Sequence, residues 1–101
     1  MKISKLIDLS DRTALITGAT GGLGRVFAQT LAELNSNLVL VDKPGSDLVT
    51  LRKQIEESYE IEVEIFFADL EKQESRQDLY VWIKESRQAL NILVNNAAFV
   101  G

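Results

Sequence analysis

Residues 15–25 of this 101-residue chain read LITGATGGLGR, and the glycine spacing after an apolar run strongly limits the possible folds. The segment Thr13–Thr17 is apolar and ends at Gly18, which is typical of a buried strand. The segment therefore predicts a strand that turns sharply into a helix. We expect one face of that helix to consist of Leu23, Val26, Phe27, Thr30, Leu31 and Leu34, which recur at helical spacing.

Three more apolar segments alternate with amphipathic ones along the rest of the chain. Strands are predicted at Asn37–Asp42, at residues 61–67 and at residues 91–96. A second helix is predicted from Leu48 onward, and a third within residues 72–88. The order βαβαβαβ with apolar strands indicates the α/β class, with a parallel sheet between helices. The apolar stripe of the third helix consists of Leu79, Trp82 and Ile83.

The glycines suit a phosphate-binding turn. Gly18 can adopt backbone angles that other residues avoid, as a sharp turn from strand to helix requires. Gly22 and Gly24 stand at the helix start, on either side of Leu23, where a missing Cβ lets a ligand approach and lets the helix pack on the sheet. The unpaired N–H groups and the helix dipole at this end favour a pyrophosphate. A flexible turn without a ligand is the alternative.

The second predicted strand ends in Asp42, eighteen residues after Gly24. A carboxylate at about this distance can accept hydrogen bonds from the ribose hydroxyls of a dinucleotide. Asp42 could instead cap a helix, but Ser46 and Asp47 stand closer to the helix that begins at Leu48. The turn also lacks the Gly-Lys-Ser/Thr ending of nucleoside-triphosphate loops. Strand, glycines, helix, strand and acid together predict dinucleotide binding.

Composition excludes several other classes of function. The net charge is −4, and no cluster of basic residues suggests a nucleic-acid partner. Cysteine and histidine are both absent, so we predict no disulfide, no thiolate chemistry and no metal site. No segment is long and apolar enough to suggest a membrane partner. These features predict a soluble, cytoplasmic protein.

Two motifs resemble those of the short-chain dehydrogenase/reductase family. Residues 17–24 read TGATGGLG, which is similar to the family's Thr-Gly-x-x-x-Gly-x-Gly loop, and residues 95–98 read NNAA. The resemblance covers the whole chain, which corresponds to the N-terminal part of the family's domain. It implies that residues 1–101 form the dinucleotide-binding part, with a Rossmann-type doubly wound sheet in the order 3-2-1-4. The site is then expected at the carboxyl ends of the strands.

The resemblance also implies a cofactor and the residues around it. Asp42 would hold the adenosine ribose hydroxyls, which marks a preference for NAD over NADP. Asp69 and Leu70 would border the adenine, while Asn96 and Ala97 would lie beside the cofactor at the end of the fourth strand. The reaction implied is hydride transfer between nicotinamide and a carbonyl or alcohol substrate.

Two departures leave alternatives open. The family usually has glycine after Asn-Asn-Ala, and this chain has Ala98. Gly18, Gly21 and Gly24 also fit the spacing of the family's sugar-nucleotide epimerase branch, which is the second interpretation. A dinucleotide-binding module without catalysis is the third.

The family's catalytic Ser, Tyr and Lys lie beyond the fourth strand, so we predict no catalytic residue in this chain. Tyr80 and Lys84 match the Tyr-x-x-x-Lys spacing, but they precede that strand and belong to the third predicted helix. We also predict a homo-oligomer or self-association, because the fourth strand would leave an apolar, unpaired edge.

Overall fold

The computed structural model describes residues 7–86 and 89–96, which form four strands and three helices in strict alternation. The strands are β1 (Thr13–Thr17), β2 (Asn37–Asp42), β3 (Val63–Phe67) and β4 (Ile92–Asn95). The helices are α1 (Gly22–Glu33), α2 (Leu48–Ser58) and α3 (Gln73–Ser86).

The strands form one parallel sheet in the order β3-β2-β1-β4, so the predicted Rossmann-type topology is confirmed. In the register, Leu15 of β1 lies between Val39 of β2 and Leu93 of β4. Since every neighbour is parallel, each connection must cross from one end of the sheet to the other, and the helices make these crossings. All four carboxyl ends therefore meet at one edge.

β3 begins two residues later than predicted. The backbone N–H of Glu62 donates to the side-chain oxygen of Asn37 at 2.9 Å, and the pairing with β2 starts only at Val63, opposite Leu38. A side chain on the neighbouring strand thus takes the hydrogen bond that would have extended the ladder.

Side chains of β1 and β2 alternate between two apolar layers, one on each face of the sheet. One layer joins Ile16 and Leu40 to α1 and α2, and the other joins Leu15 and Val39 to α3. Leu79 of α3 is buried in the second layer, and the rings of Trp82 and Phe66 lie 5.0 Å apart there. The predicted stripe of the third helix is thereby confirmed.

The buried face of α1 differs from the predicted one. Leu23 and Val26 are 58% and 55% exposed, and Thr30 is exposed too, so this part of the prediction is wrong. Gly24, Ala28 and Ala32 face the sheet instead. These small residues recur every fourth position, and they let the helix approach the strands too closely for a leucine to fit between. The prediction holds for Phe27, Leu31 and Leu34, which are half-buried or buried.

The last turn of α1 is closed by backbone hydrogen bonds. Asn35 adopts a left-handed φ of 72°, and its N–H donates to the Ala32 carbonyl at 2.9 Å. The Ser36 N–H donates to the Leu31 carbonyl at 3.0 Å, which completes a Schellman motif. This turn sends the chain directly into β2. None of the helices in the described ranges combines the length and apolar character needed to cross a bilayer.

Candidate cofactor site

A pocket of about 620 Å³ lies at the carboxyl edge of the sheet, a volume within the range of about 300–1,000 Å³ common for ligand pockets. Five of the predicted cofactor residues line it, contributed by all four strand ends. They are Gly18, Asp42, Asp69, Leu70 and Asn96. Their binding role stays a prediction, but the fold brings them to one place. The lining also includes Thr20, Gly21, Lys43, Ala68 and Glu71.

The glycines of the turn after β1 have different structural roles. Gly18 has a left-handed φ of 64°, as a sharp exit from β1 requires. A Cβ on Gly24 would lie 2.1 Å from the Gly18 carbonyl oxygen, so only glycine allows α1 to pack this close to the turn. A Cβ on Gly22 would meet nothing within 4 Å, so its glycine is not required by packing. Gly24 therefore serves the fold, while Gly22 leaves open space at the N-terminus of α1.

The N-terminus of α1 has no side-chain cap, because Gly21 occupies the N-cap position. The first N–H groups of a helix have no partner within it, and the helix dipole gives this end partial positive charge. An anion such as a pyrophosphate can accept these hydrogen bonds. The geometry thus provides the donors that the sequence predicted.

The Asp42 side chain accepts three hydrogen bonds at the edge of the pocket. Its Oδ2 accepts from the Thr20 N–H at 2.9 Å and from the Thr20 hydroxyl, and its Oδ1 accepts from the Lys43 N–H at 2.8 Å. Partial burial raises the pKa of Asp42, but these hydrogen bonds and the Lys43 charge outweigh it, so the pKa is lowered. The carboxylate is therefore ionised across the neutral pH range.

The two motifs meet through Thr17. Its hydroxyl donates to the side-chain oxygen of Asn95 at 3.0 Å and accepts from the Asn96 N–H at 3.0 Å. The Asn96 side-chain amide donates to the Gly18 carbonyl at 3.3 Å. These bonds tie the end of β4 to the start of the glycine turn, so that Asn96 closes one side of the pocket.

The opposite side is formed by the turn after β3. The Ala68 N–H donates to the Asp42 carbonyl at 2.8 Å, which continues the pairing of the two strands past their ends. Asp69 accepts from the Glu71 N–H at 3.2 Å through its side chain, and Arg76 of α3 donates to the Leu70 carbonyl at 2.7 Å. The turn that carries Asp69 and Leu70 is thus held in place by its own backbone and by α3.

Comparison with known proteins identifies this arrangement. A family model described as short chain dehydrogenase matches residues 12–101. The chain belongs to the short-chain dehydrogenase/reductase family. It is 32% identical over 95 residues to an uncharacterized oxidoreductase of Staphylococcus saprophyticus, covering 94% of this chain and 41% of the relative.

Two further similar proteins of the short-chain dehydrogenase/reductase family differ in what their names say of cofactor and activity. The structure of L-sorbose reductase from Gluconobacter frateurii, solved with NADPH and L-sorbose, has a TM-score of 0.83 and 26% identity, covering 93% of this chain and 36% of that one. The human inactive hydroxysteroid dehydrogenase-like protein 1 is 33% identical over 93 residues, covering 90% of this chain and 27% of the relative. The chain thus spans less than half the length of these family members.

Three further predicted residues, Gly22, Leu23 and Gly24, are described by the structure and lie outside the pocket lining. Gly22 is exposed beside the lining residue Gly21, and Gly24 is buried beneath the turn. Leu23 is directed to solvent, so it is not brought together with the other predicted residues. Ala97, like Ala98, lies outside the described residues.

Tyr80 and Lys84 lie outside the pocket lining. Both are exposed on α3, Tyr80 to 61%, and neither lines the carboxyl edge of the sheet. That this Tyr-x-x-x-Lys match is not a catalytic pair stays a prediction.

Sequence reasoning missed Thr20 and Lys43, the two residues that donate to Asp42. The signal for Thr20 was a hydroxyl within a turn of small residues, two positions after Gly18. Arg25 adds to this group, since its Nε donates to the Thr20 carbonyl at 2.9 Å and its guanidinium lies 3.7 Å from the Asp47 carboxylate. Together they fix the turn against the end of β2.

Proposed function

We propose that this chain forms the NAD-binding part of an oxidoreductase that transfers hydride between nicotinamide and a carbonyl or alcohol carbon. The proposal rests on one observation: the uncapped N-terminus of α1 and the ionised Asp42 lie at the same pocket. A dinucleotide has an anionic pyrophosphate and a ribose with two hydroxyl donors, and these two features of the pocket complement them.

Each part of the pocket has a distinct task in this proposal. The first turn of α1 binds the pyrophosphate, and Asp42 accepts hydrogen bonds from the adenosine ribose. Asp69 and Leu70 border the adenine, and Asn96 lies on the side toward the nicotinamide. The bound nicotinamide supplies the hydride acceptor or donor. The open space at Gly22 fits a group that must approach the backbone closely.

We expect the intact protein to bind NAD at least about tenfold more tightly than NADP, a difference of about 1.4 kcal/mol. In NADP a 2′-phosphate takes the place of the 2′-hydroxyl of the adenosine ribose. The Asp42 carboxylate would then lose that hydrogen-bond donor and would be repelled by the negative charge of the phosphate. Titration calorimetry with both cofactors measures the ratio of dissociation constants.

Asp42→Ala should lose this discrimination while keeping most of the affinity for NAD. Asp69→Ala is the matched control, since it removes another carboxylate from the same pocket and should leave the ratio unchanged. Equal or tighter binding of NADP by the unmutated protein would contradict the proposed preference, which the NADPH complex of L-sorbose reductase makes a real alternative.

A second candidate is a dinucleotide-binding protein without catalysis. It is favoured by the human relative, whose name calls it inactive. An assay on the intact protein distinguishes the two candidates: NAD binding without turnover of any carbonyl or alcohol supports the second one.

The packing gives no support to the epimerase branch, whose glycine spacing includes Gly21. A Cβ on Gly21 would make only an ordinary 3.5 Å contact, so packing does not require glycine there.

We further propose that the 101-residue chain self-associates through β4. Among the described residues β4 pairs only with β1, and its Leu93 is 68% exposed. Light scattering should give a mass above the 11.3 kDa of one chain, and Leu93→Lys should shift it toward the monomer. Val49→Lys is the control, because Val49 is 47% exposed on α2, which packs on β2, β3 and α1. A monomeric unmutated chain would disprove this proposal.

A further inference from the structure

The hydrogen bonds of Asp42 leave little room for a ribose. A carboxylate has about four acceptor sites on its two oxygens. Three donors already occupy Asp42, namely the N–H and the hydroxyl of Thr20 on Oδ2 and the Lys43 N–H on Oδ1. About one acceptor site therefore remains, whereas a ribose with free 2′- and 3′-hydroxyls offers two donors.

The three donors differ in how easily they leave. The two N–H groups belong to the backbone, and the Thr20 backbone is held in turn by Arg25, whose Nε donates to the Thr20 carbonyl. The hydroxyl turns away by one rotation about χ1, without moving the backbone. Thr20 is half-buried and lines the pocket, so its hydroxyl can exchange Asp42 for water or for a ligand.

The hydroxyl is also not needed to orient the carboxylate. The Thr20 N–H holds Oδ2 and the Lys43 N–H holds Oδ1, so each oxygen keeps one backbone donor when the hydroxyl leaves. Removing the hydroxyl thus frees an acceptor site while both backbone contacts persist.

We propose that the Thr20 hydroxyl competes with one ribose hydroxyl for Asp42, and so sets how strongly this site distinguishes ribose from 2′-deoxyribose. The inference rests on the proposed nucleotide binding in this pocket. In the unmutated protein the first ribose hydroxyl takes the vacant site on Oδ1. The second ribose hydroxyl must displace the Thr20 hydroxyl from Oδ2. It therefore adds to the binding free energy only the difference between its own hydrogen bond and that of Thr20.

Thr20→Val tests the proposal, because valine has the same shape and lacks the hydroxyl. Titration calorimetry on the intact protein compares NAD with the analogue that lacks the 2′-hydroxyl of its adenosine ribose. The dissociation constant of the 2′-deoxy analogue divided by that of NAD should rise about fivefold in Thr20→Val, as expected for one hydrogen bond. Thr20→Ser restores a hydroxyl and should keep the unmutated ratio. Thr20→Ala lacks the hydroxyl and serves if the valine variant does not fold.

Each other result overturns the inference. A ratio that is unchanged in the valine and alanine variants, with both ligands weakened equally, assigns Thr20 to the phosphates or to the turn itself. A ratio that falls shows that Thr20 accepts a hydrogen bond from the ribose and assists binding. Failure of the unmutated protein to bind NAD removes the proposed function and this inference together, whereas binding with an unchanged ratio removes only the inference.

Discussion

Gly24→Ala should destabilise the fold by about 3 kcal/mol, near the upper end of what overpacking costs. The added Cβ would lie 2.1 Å from the Gly18 carbonyl oxygen and 2.9 Å from the Ala19 Cα. Both are backbone atoms, so no side-chain rotation relieves the overlap, and α1 must move away from the turn. The change in free energy of unfolding is measured by urea denaturation followed by circular dichroism.

Gly22→Ala is the matched control for this prediction. It places alanine in the same helix, where the gain in helix propensity is at most about 1 kcal/mol. Its Cβ meets nothing within 4 Å, so the fold should be as stable as the unmutated one or slightly more so. Equal unfolding midpoints for the two variants would show that α1 does not pack on the turn as described.

Gly22→Val should weaken NAD binding at least about 100-fold, or about 2.7 kcal/mol, while the chain stays folded. A branched side chain at the first position of α1 would stand where the pyrophosphate approaches the backbone. The lost hydrogen bonds are charge-assisted ones, each of which contributes about 1.5–3 kcal/mol. Calorimetric titration with NAD gives the dissociation constant, and thermal denaturation confirms folding.

Thr30→Val is the control for this second prediction. It puts the same β-branched residue on the exposed face of α1, two turns from the pocket, and should leave NAD binding unchanged. If Gly22→Val melts normally and binds NAD within about twofold of the unmutated protein, the phosphate-binding role of the turn is wrong. A loss of binding together with unfolding would instead contradict the open space at Gly22.

The sequence, together with its family resemblance, predicted the topology and five of the ten described residues that line the pocket. β1 and β2 begin and end where predicted, because each is a continuous apolar run that stops at a residue with its own requirement, Gly18 or Asp42. Parallel strands then bring their carboxyl ends to one edge wherever they stand in the sheet. This geometry explains why Asp69 and Asn96, which the family resemblance assigned to the cofactor, line one pocket although they are far apart in the chain.

Only the tertiary structure decided which face of α1 is buried. Periodicity counts apolar side chains, and by that measure Leu23 and Val26 belong to the core. The distance between helix and sheet is set by the smallest residues that come between them, and Gly24 and Ala28 allow an approach that excludes larger ones. Glycine and alanine give little hydrophobic signal, so this closeness does not show in the pattern.

The hydrogen bonds that complete the site were likewise beyond the sequence. Thr20 and Asp42 are 22 residues apart, and Asn96 is 79 residues from the Thr17 hydroxyl that accepts its N–H. Such pairs form because neighbouring strands end side by side, and their geometry depends on the turn after each strand. The sequence determined which chemical groups reach the pocket, and the packing of the strand ends decided which of them are already bound to one another.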